Sequence, residues 1–242
     1  MMNNTDAIGF HDTIAAEFTR KYESSKAFQE RFRIWKALFD RYINATDHVI
    51  DLGCGPGIFS NYLAGKGCTV IGIDGSATMI ALSQQKKPSA TVQYIVQSLP
   101  LETLTPYAPQ DIVLMSSFLE YMDDMTGMLE QAWALLKPNG LLIVSMPNHR
   151  SLYRTIERTL FWLSKHPAYY AYIRHTATKE SLNRKLLELS FDVCETGFFS
   201  GQDPVSRLLK PFLAAEYTNN LLVGVYRKKA FLCTESLQKT ME

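Results

Sequence analysis

Long apolar runs, paired cysteines and an excess of one charge are all scarce in this chain of 242 residues. No stretch approaches the roughly 18 consecutive apolar residues that a membrane-spanning helix needs. The polar N-terminal segment MMNNTDAIGFHDT has no apolar core followed by a small-residue cleavage site, so we do not expect a signal peptide. These absences predict a cytoplasmic protein.

The cysteines and charges exclude further classes of protein. Four cysteines are scattered at positions 54, 68, 194 and 233, and their spacing matches neither a zinc site nor a disulfide framework. We therefore expect reduced thiols and no bound metal. The 25 basic and 24 acidic residues give a net charge of +1, which provides no whole-molecule field for nucleic acid. A nucleic-acid partner is not expected.

What the chain does have is a regular alternation of apolar runs and helical patterns. Residues 10–44 carry aromatic side chains at spacings of three and four, which predicts a helix. Short apolar runs then predict strands at His48–Leu52, Thr69–Asp74, Thr91–Val96, Asp111–Met115, Leu141–Met146, Val193–Phe199 and Leu221–Tyr226. Helices are predicted between them at 58–66, 76–87, 124–137 and 179–190.

Apolar strands separated by helices are typical of a mostly parallel sheet with helices on both faces. We predict one α/β domain over residues 1–242, in which the last two strands can form an antiparallel edge. Its predicted parts are an N-terminal helical cap (1–44), a cofactor-binding core (45–147), a helical insertion that caps the substrate site (148–177) and the C-terminal part of the sheet (178–242).

The segment VIDLGCGPG at residues 49–57 carries the main functional signal. An apolar strand runs into alternate glycines, which allow positive φ and a close approach of backbone to a ligand. A second apolar strand ends at Asp74, whose carboxylate can accept hydrogen bonds from both hydroxyls of an adenosine ribose. Strand, glycine loop, helix, strand and acid in this order predict a nucleotide site. The alternative is a plain tight turn, with Asp74 capping the next helix.

The sequence DLGCGPG resembles the first motif of class I S-adenosylmethionine-dependent methyltransferases, G-x-G-x-G with an acid two residues ahead. Dinucleotide dehydrogenases instead use G-x-G-x-x-G, which places a pyrophosphate at a helix N-terminus. The segments QDIVLM (110–115) and LLKPNGLLIV (135–144) resemble the family's fourth and fifth strands. The resemblance, close over 45–147, implies a Rossmann-like seven-stranded sheet and S-adenosylmethionine as the cofactor.

The resemblance also implies roles for individual residues. The glycine loop would contact the methionine portion of the cofactor, Asp74 the ribose, and the residues after the third strand the adenine. Gln97 stands where many relatives have Asp. The predicted cofactor-binding residues are Tyr22, Asp51, Gly53, Cys54, Gly55, Gly57, Asp74, Gly75, Met79, Gln97, Ser98, Leu99 and Ser116.

The chain layout most resembles the ubiquinone-biosynthesis O-methyltransferase group, which shares the extended segment after the fifth strand. That group carries an acid and Leu-Glu-His after the fourth strand, associated with activity and metal dependence. Here the stretch is SFLEY (117–121), so Glu120 persists without the other two candidate ligands. An oxygen acceptor would benefit from a base, and the predicted catalytic residues are His175, His149 and Glu120. For both histidines the alternative is a polar surface position.

The insertion contains an amphipathic helix pattern. Its apolar residues Leu152, Ile156, Leu160 and Leu163 share one face, and Arg150, Arg154 and Arg158 share another. The segment 150–176 has three interpretations. It can shape an apolar acceptor pocket, lie on anionic lipid with its basic side chains toward the headgroups, or pack on the sheet with a solvated basic face.

Together these features predict an enzyme that transfers a methyl group from S-adenosylmethionine to a small, lipophilic or aromatic acceptor, at oxygen. The alternative reaction is N-methylation of a small amine or natural-product intermediate. Two alternatives belong to other functional classes. One is a NAD-dependent oxidoreductase, which the glycine spacing argues against, and the other is a protein that binds the cofactor without catalysis. The sequence is compatible with a monomer and with a homodimer.

Overall fold

The computed structural model describes residues 4–86, 90–107 and 109–230. Helices α1 (Asn4–Ser24) and α2 (Lys26–Tyr42) precede the sheet. The sequence predicts a single helix over 10–44, whereas the structure interrupts it at Ser25, whose φ of −95° and ψ of 124° are extended. Apolar spacing continues across this break, so the pattern alone does not reveal it.

The described residues form a seven-stranded sheet. Its strands are β1 (His48–Leu52), β2 (Thr69–Asp74), β3 (Val92–Val96), β4 (Gln110–Ser116), β5 (Leu136–Pro147), β6 (Phe191–Phe199) and β7 (Leu221–Lys228). They lie in the order β3-β2-β1-β4-β5-β7-β6. Strands β1 to β5 pair in parallel, and β7 runs antiparallel to both β5 and β6. The predicted α/β class and mostly parallel sheet are confirmed.

The helices between the strands begin where the sequence provides caps. The Asp124 carboxylate accepts a hydrogen bond from the Gly127 amide at 2.9 Å at the start of α5 (Met125–Leu135). Thr178 and Ser181 form a capping box at the start of α7 (Lys179–Glu188). The other helices after β1 are α3 (Ile58–Lys66), α4 (Ala77–Gln85), α6 (Leu152–Ser164), α8 (Pro204–Leu209) and α9 (Ala215–Thr218). Single 3₁₀ turns lie at Leu119–Tyr121 and Ala168–Tyr172.

Two apolar cores cover the two faces of the sheet. On one face α2 and α3 contribute Trp35, Phe39 and Phe59, whose rings lie 5.0 to 5.6 Å apart. On the other face Leu129 of α5 and Leu186 of α7 are fully buried. Burial of each such side chain contributes about 1.5–3 kcal/mol, so the sheet is held rigidly between layers of helix.

This packing brings the carboxyl ends of the central strands to one edge. Leu52 at the end of β1 pairs with Ile73 of β2, and Asp51 pairs with Leu114 of β4. Side chains at the ends of these strands therefore converge, which is where open α/β sheets bind ligands. No helix in the described ranges is long and apolar enough to cross a membrane. Cys54 and Cys68 are buried and Cys194 is exposed, whereas Cys233 lies outside the described residues.

Candidate active site

A cavity lies at the carboxyl ends of β1, β2 and β4, and α1 and α2 contribute part of its wall. Ten of the residues predicted to bind a cofactor line it, namely Tyr22, Asp51, Gly53, Cys54, Gly55, Asp74, Gly75, Met79, Leu99 and Ser116. Three predicted residues, Gly57, Gln97 and Ser98, are not in the lining. The Gln97 side-chain oxygen instead accepts a hydrogen bond from the Tyr107 hydroxyl at 2.6 Å.

Two glycines of the loop serve different purposes. Gly55 has a φ of +53°, and a Cβ added there would meet no atom within 4 Å, so the loop leaves open space beside its backbone. Gly57 has a φ of +69°, but a Cβ there would lie 2.3 Å from the Tyr94 hydroxyl oxygen. Gly57 therefore permits packing between the loop and β3, while Gly55 leaves room for a ligand.

Asp74 joins the loop to the end of β2. Its two carboxylate oxygens accept hydrogen bonds from the amides of Gly55 and Ser76, both at 2.8 Å. Burial is the main influence on this carboxyl and raises its pKa above the usual range. Each carboxylate oxygen has a second lone pair, so Asp74 can accept further hydrogen bonds from a ligand in the cavity.

Asp51 has a buried oxygen without a partner. The side chain is 1% exposed, and its Oδ2 accepts a hydrogen bond from the Ser60 hydroxyl at 2.6 Å. Oδ1 has no hydrogen-bond partner among the described residues. Burial, with a smaller contribution from the charge of Asp74, raises the pKa of Asp51 to about 7. An unpaired buried acceptor in a cavity wall is costly unless a ligand supplies the donor.

Arg31 is a site residue that sequence reasoning missed. It projects from α2 into the cavity wall, where Nη2 donates hydrogen bonds to the Ser116 hydroxyl at 2.6 Å and the Ser116 carbonyl at 3.3 Å. Its buried Nε has no partner in the part of the chain that the structure describes. The available signal was an arginine on the same helix face as Phe28 and Trp35, three residues before it and four after it.

Part of the cavity lining is aromatic. His11 of α1 lies edge-on to Tyr121, with ring centroids 4.9 Å apart, and both residues line the cavity beside Phe118 and Met122. Burial lowers the pKa of His11 below its usual value, so the imidazole is neutral at pH 7. The sequence placed His11 in the N-terminal segment without a role, because how α1 lies over the sheet is a tertiary property.

The three predicted catalytic residues lie outside the lining. Glu120 is buried next to Tyr121, burial raises its pKa to about 7, and its carbonyl accepts hydrogen bonds from the amides of Arg174 and His175. His149 is exposed, and its Nδ1 lies 2.8 Å from the Thr176 hydroxyl. Within the described ranges no group of three or more His, Cys, Asp or Glu side chains could hold a metal ion.

Known proteins resemble this chain in sequence. A family model for a methyltransferase domain matches residues 25–196. Trans-aconitate 2-methyltransferase of Delftia acidovorans is 30% identical over 133 residues, which cover 54% of this chain and 48% of that protein. Ubiquinone biosynthesis O-methyltransferase of Bradyrhizobium diazoefficiens is 34% identical over 100 residues, which cover 41% and 40% of the two proteins. The chain thus matches less than half the length of each relative.

The fold also has solved counterparts. The magnesium protoporphyrin IX methyltransferase of Synechocystis PCC 6803, crystallised with bound SAH, superposes with a TM-score of 0.71. That alignment covers 94% of this chain and 100% of the other, at 17% identity. At this identity the likeness shows a shared fold.

Proposed function

The chain belongs to the methyltransferase-domain family, and on this premise we propose that it transfers a methyl group from S-adenosylmethionine to an oxygen of a small, lipophilic or aromatic acceptor. One observation carries the proposal: a single cavity is lined by both charged and aromatic side chains. The charged groups suit a charged amino-acid and nucleoside cofactor, and the aromatic surface suits an apolar acceptor.

The charged side chains of the lining fit the cofactor group by group. The unpartnered Oδ1 of Asp51 suits the ammonium of the methionine portion, and the unpartnered Nε of Arg31 suits its carboxylate. Asp74 suits the ribose hydroxyls, and the open space at Gly55 allows backbone contact. When bound, S-adenosylmethionine supplies an electrophilic methyl group on a sulfonium.

Aromatic residues of α1 position the reactants and exclude water. Phe18 and Tyr22 of α1 line the cavity with ring centroids 5.8 Å apart and present aromatic surface suited to a cation. Alignment of two bound reactants can contribute up to about 7–11 kcal/mol to lowering a barrier. A mostly apolar lining limits the access of water to the aligned reactants.

His11 is the group that we propose as the general base. It lies in the aromatic wall and is neutral at pH 7 because burial lowers its pKa. A neutral imidazole nitrogen can accept the proton of an acceptor hydroxyl as the oxygen attacks, which explains our preference for an oxygen over a nitrogen acceptor. Glu120 and His175, adjacent to this wall, remain alternative candidates.

Charge distinguishes between classes of acceptor. Among the described residues that line the cavity, Arg31 is the only permanent cation, and it already donates to Ser116. A tricarboxylate such as the trans-aconitate in one relative's name would need several cations. A hydroxyl on an apolar or aromatic body needs only the base and the aromatic wall, so the geometry favours it.

The decisive experiment measures binding and transfer separately. Calorimetry should show S-adenosylmethionine binding and no NAD binding, and radiolabelled methyl should pass to a lipophilic component of a metabolite extract from the source organism. NAD binding in place of S-adenosylmethionine would refute the proposal. Cofactor binding without any labelled product would support the non-catalytic alternative.

Variants then test the base. His11→Gln should lower transfer by about 10²-fold or more while the cofactor Kd stays unchanged. His149→Gln and His175→Gln test the histidines that the sequence favours. A larger loss in either of these than in His11→Gln would move the role of base to that residue.

A further inference from the structure

Helix α6 buries charged side chains and exposes apolar ones, which is the reverse of an ordinary surface helix. Arg154 and Glu157 lie on its inward side, where they form an ion pair at 2.9 Å with side-chain exposures of only 16% and 10%. The Tyr169 hydroxyl hydrogen-bonds to both. The apolar side chains of the same helix, Leu152, Ile156, Leu160 and Leu163, are exposed. A helix that turns its apolar face outward needs a partner to cover that face.

The exposed apolar face continues beyond α6. Helix α6 packs against α8 and α9, and in that neighbourhood Leu208 is 70% exposed and Phe212 is 79% exposed. Trp162 on α6 is 75% exposed. Of the twelve large apolar side chains that are exposed in the described residues, nine lie on α6 or within residues 208–217. We name these two segments the α6–α9 surface.

Unpaired cations accompany this surface. Four exposed basic residues lie on α6 and α8 or directly after them, namely Arg158, Lys165, Arg207 and Lys210. None of them pairs with a carboxylate in the ranges that the structure describes. The nearby acids are already engaged: Glu157 pairs with Arg154, Glu216 with Arg150, and Asp203 caps α8.

We propose that the α6–α9 surface docks on an anionic lipid bilayer. Exposed Leu, Ile, Phe and Trp side chains bordered by unpaired Lys and Arg are the pattern by which helices lie in a membrane interface. Each basic residue near an anionic leaflet adds attraction. A second copy of the chain is a poorer occupant, because a two-fold contact uses the same surface of both copies and would place eight unpaired cations, four from each copy, in one interface.

The docking surface is connected by aromatic contacts to the part of the cavity lined by His11. The Phe161 ring of α6 lies 5.7 Å from that of Tyr170, and Tyr172 stacks on Phe10 of α1 at 4.8 Å. His11 follows Phe10 and lines the cavity. A docked protein would therefore hold this part of its cavity near the bilayer, and its use for a lipophilic acceptor, unlike the docking itself, rests on the proposed function.

Vesicle sedimentation with the full chain tests the docking independently of catalysis. Vesicles of equal parts phosphatidylcholine and phosphatidylglycerol should pellet the protein, and vesicles of phosphatidylcholine alone should leave most of it in solution. Raising the salt from about 0.05 M to about 0.5 M should release the protein, because the screening length falls severalfold. Equal binding to both vesicles, or to neither, would overturn the proposal.

Two pairs of variants identify the surface. Leu160→Glu with Leu163→Glu, and separately Arg158→Glu with Lys165→Glu, should each weaken anionic-vesicle binding by about ten-fold or more. The matched controls are Leu187→Glu and Arg184→Glu, because both residues are exposed on α7. These should bind like the parent protein, and thermal unfolding should show that all variants are folded.

Sedimentation velocity without lipid tests the competing occupant. The parent protein should be monomeric at micromolar concentration. A dimer that Leu163→Glu dissociates would show that a second copy covers the surface, and would overturn lipid docking. Failure of methyl transfer with vesicle binding retained would instead refute the proposed function alone.

Discussion

The glycine loop and helix α6 handle polar and apolar groups in opposite ways. In the loop region, residues 49–75, buried carboxylates face a cavity and apolar side chains pack behind them in the sheet. In α6 the buried pair Arg154–Glu157 faces the protein, and five large apolar side chains are exposed. The polar groups of the loop region therefore face a ligand site inside the molecule, whereas α6 exposes its apolar side chains on the outer surface.

The difference shows which properties are local and which are tertiary. Positive φ at Gly55 and the acid at the end of β2 are set by a few neighbouring residues. The direction in which α6 faces depends on partners distant in sequence, such as the Asn220 carbonyl, which accepts a hydrogen bond from the Arg154 Nε at 3.4 Å. Amphipathic spacing identifies two faces of a helix, but it does not say which face is buried.

The largest effect should come from breaking the buried pair in α6. Arg154→Met leaves the Glu157 carboxylate buried without its cation, which costs about 3–5 kcal/mol of unfolding free energy. Urea denaturation measures this loss. Cofactor affinity of the folded fraction should be unchanged, because Arg154 does not line the cavity.

The matched control removes both charges. Arg154→Met combined with Glu157→Leu should recover most of the lost stability, since neither charge is then left buried and alone. Destabilisation by the double variant equal to that by Arg154→Met would mean that the pair holds α6 through hydrogen bonds to Tyr169 rather than through charge compensation.

The same contrast explains what could be predicted from sequence. The strands β1 and β2 and the helix α3 match their predicted bounds, because apolar runs and glycines mark them directly. Nine of the ten predicted cofactor residues in the cavity lining lie at or after the ends of strands that must meet, and the exception is Tyr22 of α1. Arg31 and His11 were not predicted, because both come from N-terminal helices whose placement over the sheet no local pattern specifies.

The substitution Asp51→Asn tests the buried carboxylate that faces the cavity. The amide keeps the shape and the contact with Ser60 but removes the charge beside the unpartnered oxygen position. Loss of one charged hydrogen bond of about 1.5–3 kcal/mol should weaken S-adenosylmethionine binding by about 10- to 100-fold. Calorimetry at pH 8 measures the Kd. Asp192→Asn, at an exposed position on β6, is the control, and an unchanged Kd in Asp51→Asn would remove Asp51 from the site.

A smaller effect should appear with pH. Burial raises the pKa of Asp51 to about 7, and the ionised form is the one that can pair with the cofactor's ammonium. Affinity should therefore be lost as pH falls through 7, by about ten-fold between pH 8 and pH 6. Calorimetric titrations at both values measure it. The pH dependence should be smaller in the Asp51→Asn variant, and an undiminished dependence would assign it to a titrating group other than Asp51.

The smallest expected effect is the one that most sharply separates α6 from an ordinary helix. Leu163 is 67% exposed, so Leu163→Ala should change the unfolding free energy by no more than about 0.5 kcal/mol in the absence of lipid. The matched substitution Leu182→Ala, at a buried position of α7, should cost about 2–5 kcal/mol because it leaves a cavity. Equal losses in the two variants would show that the outer face of α6 is covered within the protein itself. A neutral Leu163→Ala whose binding to anionic vesicles is weakened would instead place the role of that leucine outside the fold.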